Sequence, residues 1–180
     1  RVLVPAYPVY RRMSAFLDGL VKLLEEEGLT RVHVFGHSLG AGIGHALVRR
    51  HPERVDRLVL SSFGLYNEQN LRQSKRAVRL FGIMPYSFVT GYYKRRMEAL
   101  LSDADPDEKG FYLAYMNDVL DRQLNKKTLM GQFRLLADLF EHPEIYNLNK
   151  PVRDHDVLIL QAKDDTGFDP DEQAALRWAY

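Results

Sequence analysis

The clearest pattern in the chain is a short apolar or β-branched run followed by a longer helical one, repeated. Val2 to Val4 form an apolar run stopped by Pro5, which predicts a buried strand and its exit loop. From Ser14, placed as a helix cap, Phe16, Leu17, Leu20, Val21, Leu23 and Leu24 fall on one face of a helix running to about Glu27. Gly28 then stands where a C-terminal cap belongs. A strand is predicted over 31–35, a helix to about Arg50 ahead of Pro52, and another strand over Val55 to Leu60. Such alternation predicts a parallel sheet with crossover helices.

The rhythm changes at Ser61. Between Asn67 and about Asn149 no buried strand stands out and several amphipathic helical stretches do, within 70–80, within 87–101, from Asp105, and over about 127–141. Asp105-Pro106-Asp107-Glu108 has the residues of a capped helix start: a capping carboxylate, proline at the first helical position, and glutamate three residues on. The strand pattern returns at Val157 to Leu160, and Asp169-Pro170-Asp171-Glu172 starts a helix by the same logic. An all-helical insertion between two strands of a parallel sheet is the expected layout.

At 180 residues the chain is long enough for a substantial core. Its net charge of +1 gives no electrostatic argument for nucleic acid. No apolar run approaches the roughly 18 residues of a membrane span. Cysteine is absent, which excludes disulfides and thiolate metal sites and fits a reducing compartment; a cytoplasmic location is the expectation.

Chemistry concentrates in "VHVFGHSLGAG". Gly36 and Gly40 flank Ser38 by two residues on either side, between a strand and a helix. Glycine at those places lets strand and helix pack close to a strained turn that holds the serine clear of the backbone. Ser38 and Leu39 also start a helix, whose free N–H groups favour negative charge, so the Leu39 N–H can donate to an oxyanion formed at Ser38. The bland reading of Ser38 is a plain capped turn. Gly40, Gly42 and Gly44 lack the lysine and spacing of a phosphate loop. His33 and His37 are four apart but on a strand and turn, so no metal site is expected.

In its strand–turn–helix setting, Gly36-His37-Ser38-Leu39-Gly40 resembles the Gly-x-Ser-x-Gly nucleophile elbow of α/β-hydrolases, and the likeness runs on through "VDRLVLSS" and "VLILQAKDD". The resemblance implies an α/β parallel-sheet hydrolase core over 1–66 and 151–180, incomplete at both ends, with a helical cap over 67–150. It implies a serine hydrolase that forms an acyl-enzyme on ester, thioester, amide or related carbonyl substrates, with no cofactor. Ser38 would be the nucleophile, Leu39 an oxyanion donor and Asp165 the acid. In the family's Gly-x-x-Asp form, Ala162 occupies the glycine place and Asp165 the aspartate place, with Asp164 its immediate competitor. The family's catalytic histidine follows the acid, whereas His33, His37, His45, His51, His142 and His155 all precede Asp165. The 180 residues are therefore expected to be an internal piece of a longer hydrolase that turns over substrate poorly by itself. Caps in this fold commonly cover the nucleophile, and the aromatic and methionine side chains of 81–116 imply an apolar small-molecule substrate. "FLDGLVKLLEEEGLTRVHVFGHSLGAG" with "VLSSFGLYNEQN" is also similar to maspardin-type proteins, which implies the alternative of a non-catalytic adaptor that binds proteins through the cap.

The cap's charges divide. Arg72, Lys75, Arg76, Arg79, Lys94, Arg95 and Arg96 make its first part basic, and the stretch from Glu98 to Asp121 is acidic. Solvated faces with mutual compensation are the simple account; an anion- or membrane-facing surface is the sharper one.

Overall fold

In the computed structural model, which describes residues 1–65, 67–148, 150–163 and 167–180 (for 70 and 74 the backbone alone), three strands lie side by side. They are β1 (Val32–His37), β2 (Val55–Ser61) and β3 (Asp156–Leu160), all parallel and in the order β1-β2-β3. Helix α1 (Met13–Glu26) precedes β1 and α2 (Leu39–Arg50) links it to β2. Between β2 and β3 come α3 (Glu68–Ile83), α4 (Tyr86–Leu100), α5 (Pro106–Asp118), a π-helical turn Val119–Gln123 and α6 (Lys126–Glu141); α7 (Pro170–Trp178) follows β3. Parallel strands joined by helices, with a helical stretch inserted between two of them, match the expectation from the sequence.

Two compact units emerge. One holds residues 10–75 and 134–180, the sheet among them; the other holds 1–9 and 76–133. In the sheet unit, α2 packs on the face formed by Val34, Leu58 and Leu60. Gly44 is what permits it: a methyl group there would stand 3.1 Å from Leu58 Cδ1 and 3.3 Å from Val34 Cγ1. Gly42, one turn edge away, meets Phe63 and Leu136 at 3.1 and 3.0 Å in the same sense. Phe63 is buried and contacts the rings of His45, Phe140 and Phe168, so it closes the core beneath the C-terminal ends of the strands. The opposite face carries Phe35, Val59 and Leu158 in one cross-strand row, and Phe35 is 68% exposed.

The start of α1 is built differently from its expected form. Ser14 lies inside the helix and Arg12 is the N-cap, without a side-chain cap. The free N–H groups are met from far along the chain instead. Met13 donates to Asp138 Oδ2 at 2.9 Å and Ser14 donates to the Tyr146 hydroxyl at 2.9 Å. That hydroxyl donates in turn to Asp138 Oδ2 at 2.8 Å. Burial and the Asp138 carboxylate push the Tyr146 phenol up to about 12. At the other end Gly28 adopts φ 67, as a C-terminal capping glycine must.

Val2 to Val4 do not form the expected strand. Val2 and Val4 are exposed, and the segment belongs to the helical unit, where Val9 lies against Gly131 of α6. An apolar triplet makes a strand only beside a neighbour that completes its ladder, and among the described residues the sheet is β1-β2-β3, which Val2 to Val4 do not join.

In the helical unit, Phe81 of α3 meets Tyr92 and Tyr93 of α4 at ring distances of 5.4 and 6.0 Å, and Tyr93 stacks on Phe133 of α6. The Tyr86 hydroxyl donates to the Leu120 carbonyl at 2.7 Å, fixing the start of α4 to the π-helical turn. Asp105 caps α5 as expected, accepting from Asp107 N and Glu108 N.

Two glycine substitutions separate close approach from helix propensity. A Cβ at Gly36 would lie 2.3 Å from the Gly40 carbonyl oxygen, a backbone atom with nowhere to go. Gly36→Ala should lower stability by about 3 kcal/mol or abolish soluble expression. Gly110, inside α5 with open space around it, should give the reverse: Gly110→Ala raises stability by about 0.5–1 kcal/mol. Urea denaturation of the two variants checks both.

Candidate active site

Ser38 sits at the junction of β1 and α2 with φ 52 and ψ −115, outside the regions that L-residues ordinarily occupy. Three hydrogen bonds hold it there. Its N–H donates to the Ser61 carbonyl at 2.9 Å, and its own carbonyl accepts from Ala41 N at 3.0 Å and Gly42 N at 3.2 Å. The strand end and the helix start are thus tied to one residue, and the Gly36–Gly40 approach described above completes the bend. Ser38 is exposed. Leu39 opens α2, so its N–H has no partner within the helix.

The neighbouring strand ends repeat the arrangement. Ser62, at φ 47, donates its N–H to the Leu160 carbonyl at 3.0 Å, so β2 is pinned to β3 just as Ser38 is pinned to β2. Register places His37, Ser61 and Leu160 level across the sheet. The loop after β3 therefore leaves from the same edge as Ser38, two strands and about 10 Å away. Asp165, Asp164 and Thr166 lie outside the described residues. What is described of that loop is anchored: Gln161 accepts from Arg177 Nη1 at 2.7 Å, and Phe168 packs on Gly64.

The six histidines are all accounted for elsewhere. His33 pairs with Asp56 at 3.2 Å, and His51 with Asp18 at 3.2 Å. His142 stands 3.5 Å from Glu144 and 3.8 Å from Asp138. His155 bonds the Pro52 carbonyl at 3.0 Å from just before β3, the opposite end of the sheet from Ser38. His37, next to the serine, turns sideways: its Nδ1 is 3.2 Å from Ser61 Oγ. His45 is fully buried in α2, with Nδ1 2.7 Å from the Tyr180 hydroxyl. Burial, followed by the charge of Arg49, holds its imidazole well below the ordinary value. Among the described residues, no hydrogen bond joins a histidine to the Ser38 hydroxyl. Nor do they hold a cluster of three or more metal-ligating side chains.

One organiser of this edge is not apparent from the sequence in that role. Glu172 is buried in the first turn of α7, where it completes the capping box with Asp169. Its Oε1 also accepts from Asn67 N at 3.1 Å, while its carbonyl accepts from Leu65 N at 3.0 Å. Asn67 Nδ2 adds a bond to Asp169 at 3.0 Å. A single carboxylate thus binds the loop after β2 to the loop after β3. The capping-box spelling was the available signal, but it points only to the helix start.

A family model described as the alpha/beta hydrolase fold matches residues 7–179. A hydrolase from Pseudomonas aeruginosa PA01 superposes with a TM-score of 0.70 at 20% identity, covering 97% of this chain and 62% of that one. The enol-lactonase from Burkholderia xenovorans LB400 gives 0.63 at 17% identity, covering 96% and 63%. A Caulobacter sp. (strain K31) protein provisionally named carbamate hydrolase RutD is 46% identical over 48 residues, which is 27% of this chain and 18% of that protein. The chain thus spans about three-fifths of the length of these two structures.

Two measurements test the edge. Glu172→Ala should cost about 2 kcal/mol in urea unfolding, because it removes the glutamate half of the capping box and the carboxylate acceptor of the Asn67 N–H. His45, whose folded value is depressed, contributes no penalty above the unfolded value near 6.5 and destabilises progressively as pH falls below it. Stability should therefore decline from pH 7 toward 5, and His45→Gln should flatten that decline.

Proposed function

The chain belongs to the α/β-hydrolase fold family, and from that premise we propose that it carries the nucleophile of a serine hydrolase. Ser38 attacks a carbonyl carbon of an ester, thioester, amide or related substrate. Its proton passes to a base, the carbonyl oxygen becomes an oxyanion facing the Leu39 N–H, and the leaving group departs to give an acyl-enzyme that water hydrolyses. Asp165 orients the base. None of the six histidines in these residues serves as that base, so efficient turnover needs an imidazole supplied from outside 1–180. We read the helical segment 67–150 as the cap and the substrate as a small molecule with an apolar acyl part.

The observation carrying this reading is the conformation of Ser38. A left-handed φ at a non-glycine residue is costly, roughly 1–3 kcal/mol, and here three backbone hydrogen bonds and a glycine contact are arranged to maintain it. A plain helix cap also offers its carbonyl to the first turn, but it keeps an extended backbone and bonds through its side chain; Ser38 has a positive φ, an N–H tied to β2, and a hydroxyl that accepts no bond from its own helix. The hydrolase relatives reported above agree with the reaction class.

A second reading is a non-catalytic adaptor. It is favoured by the aromatic face of α5, where Phe111, Tyr112 and Tyr115 are all exposed.

One experiment separates the two. The chain is incubated with a fluorophosphonate, with and without free imidazole, and the modified peptide is identified by mass spectrometry. The hydrolase reading expects slow phosphonylation of Ser38, faster with imidazole and absent in Ser38→Ala. Loss of all labelling, or labelling unaffected by that substitution, favours the adaptor.

A further inference from the structure

The helical unit has a second feature that hydrolysis at Ser38 does not use. Residues 76–100 contain five cations, Arg76, Arg79, Lys94, Arg95 and Arg96, and one carboxylate, Glu98. Lys94 is neutralised by Asp121 at 2.6 Å. Among the described residues Arg76, Arg79, Arg95 and Arg96 are exposed and make no hydrogen bond or ion pair. This departs from the mutual compensation expected of the cap's charges.

The same segment presents apolar side chains to solvent where α3 turns into α4. Ile83, the last residue of α3, is 82% exposed, and Phe88, in the first turn of α4, is 52% exposed; Leu80 is exposed one turn back. Pro85 lies between them. A shallow cleft bordered by Pro85, Ser87, Phe88, Gly91 and Arg95 joins the apolar tip to one of the unpaired arginines, and Gly91 keeps it open.

We propose that the α3–α4 turn docks on the surface of an anionic phospholipid bilayer, with Ile83 and Phe88 entering the acyl boundary and Arg79 and Arg95 meeting lipid phosphates. Charge and spacing both favour this occupant. Arg79 precedes Ile83 by one helical turn, about 6 Å of rise, and Arg95 follows Phe88 by two turns, about 11 Å. A headgroup layer is roughly 5–8 Å deep, so long arginine side chains reach it while the tip lies below. The exposed aromatic face of α5 lacks this chemistry. Its charged neighbours are Asp105, Asp107 and Glu108 against one cation, Lys109, a net negative set that an anionic surface would repel. No described helix is long and apolar enough to cross a membrane.

Co-sedimentation with vesicles tests the proposal. The chain should pellet with phosphatidylcholine vesicles containing 30 mol% phosphatidylserine (about three lipids in ten, enough for a strongly negative leaflet) and not with pure phosphatidylcholine. Arg79→Gln with Arg95→Gln should weaken binding about 25-fold, on roughly fivefold per cation. Ile83→Ser with Phe88→Ser should weaken it at least about tenfold. All four side chains are exposed, so unchanged circular dichroism should accompany both losses. Ser38→Ala should bind as the parent does, which separates this surface from the nucleophile. Absence of binding to either vesicle, equal binding to both, or affinity unmoved by either pair overturns the proposal. Loss confined to the arginine pair, with matching affinity for soluble polyglutamate, would assign the surface to acidic proteins and also overturn it.

Discussion

Everything at the candidate site depends on how closely the end of β1 and the start of α2 can approach. The approach is set at Gly36, whose missing side chain leaves room for the Gly40 carbonyl, and is locked by the Ser38 N–H on the Ser61 carbonyl. Once strand and helix are that near, the residue between them cannot adopt an ordinary helical or extended conformation. Ser38 takes the left-handed one, and its side chain is left exposed at the sheet edge. The strain is a consequence of packing, and the exposed position of Ser38 is a consequence of the strain.

The surrounding edge is built to keep that geometry. Ser62 ties β2 to β3, and Glu172 ties the loops that follow those two strands. Phe63 fills the space beneath with its ring against His45, Phe140 and Phe168. Gly42 and Gly44 let α2 settle onto Phe63 and the sheet. These contacts are mostly non-local, so the elbow's conformation draws on the folding of the whole sheet unit and not on its five residues alone.

That division also explains what could be read from the sequence. Strands β1 to β3, α2, the helices α3 to α6 and the Asp169 capping box follow from local pattern, because periodicity and caps are decided within a few residues. The elbow was legible for the same reason. The N-terminus of α1 was not: its capping groups are Asp138 and Tyr146, more than a hundred residues away. Val2 to Val4 misled because apolar content alone cannot say whether a neighbouring strand exists. Glu172 was visible as a helix-start residue, but its grip on Asn67 spans 105 positions. The basic stretch was visible too, yet only side-chain placement separates the paired Lys94 from the unpaired arginines. The carboxylates at 164 and 165 remain a reading of the sequence.

The central claim is that close packing, and no bound ligand, forces Ser38 into its outward conformation. A crystal structure of the unliganded chain tests it most directly. It should show Ser38 at φ near 52, with its N–H on the Ser61 carbonyl and its Oγ facing solvent. A Ser38 with negative φ, or with its hydroxyl turned into packed protein or bonded as a simple cap to α2, would contradict the account.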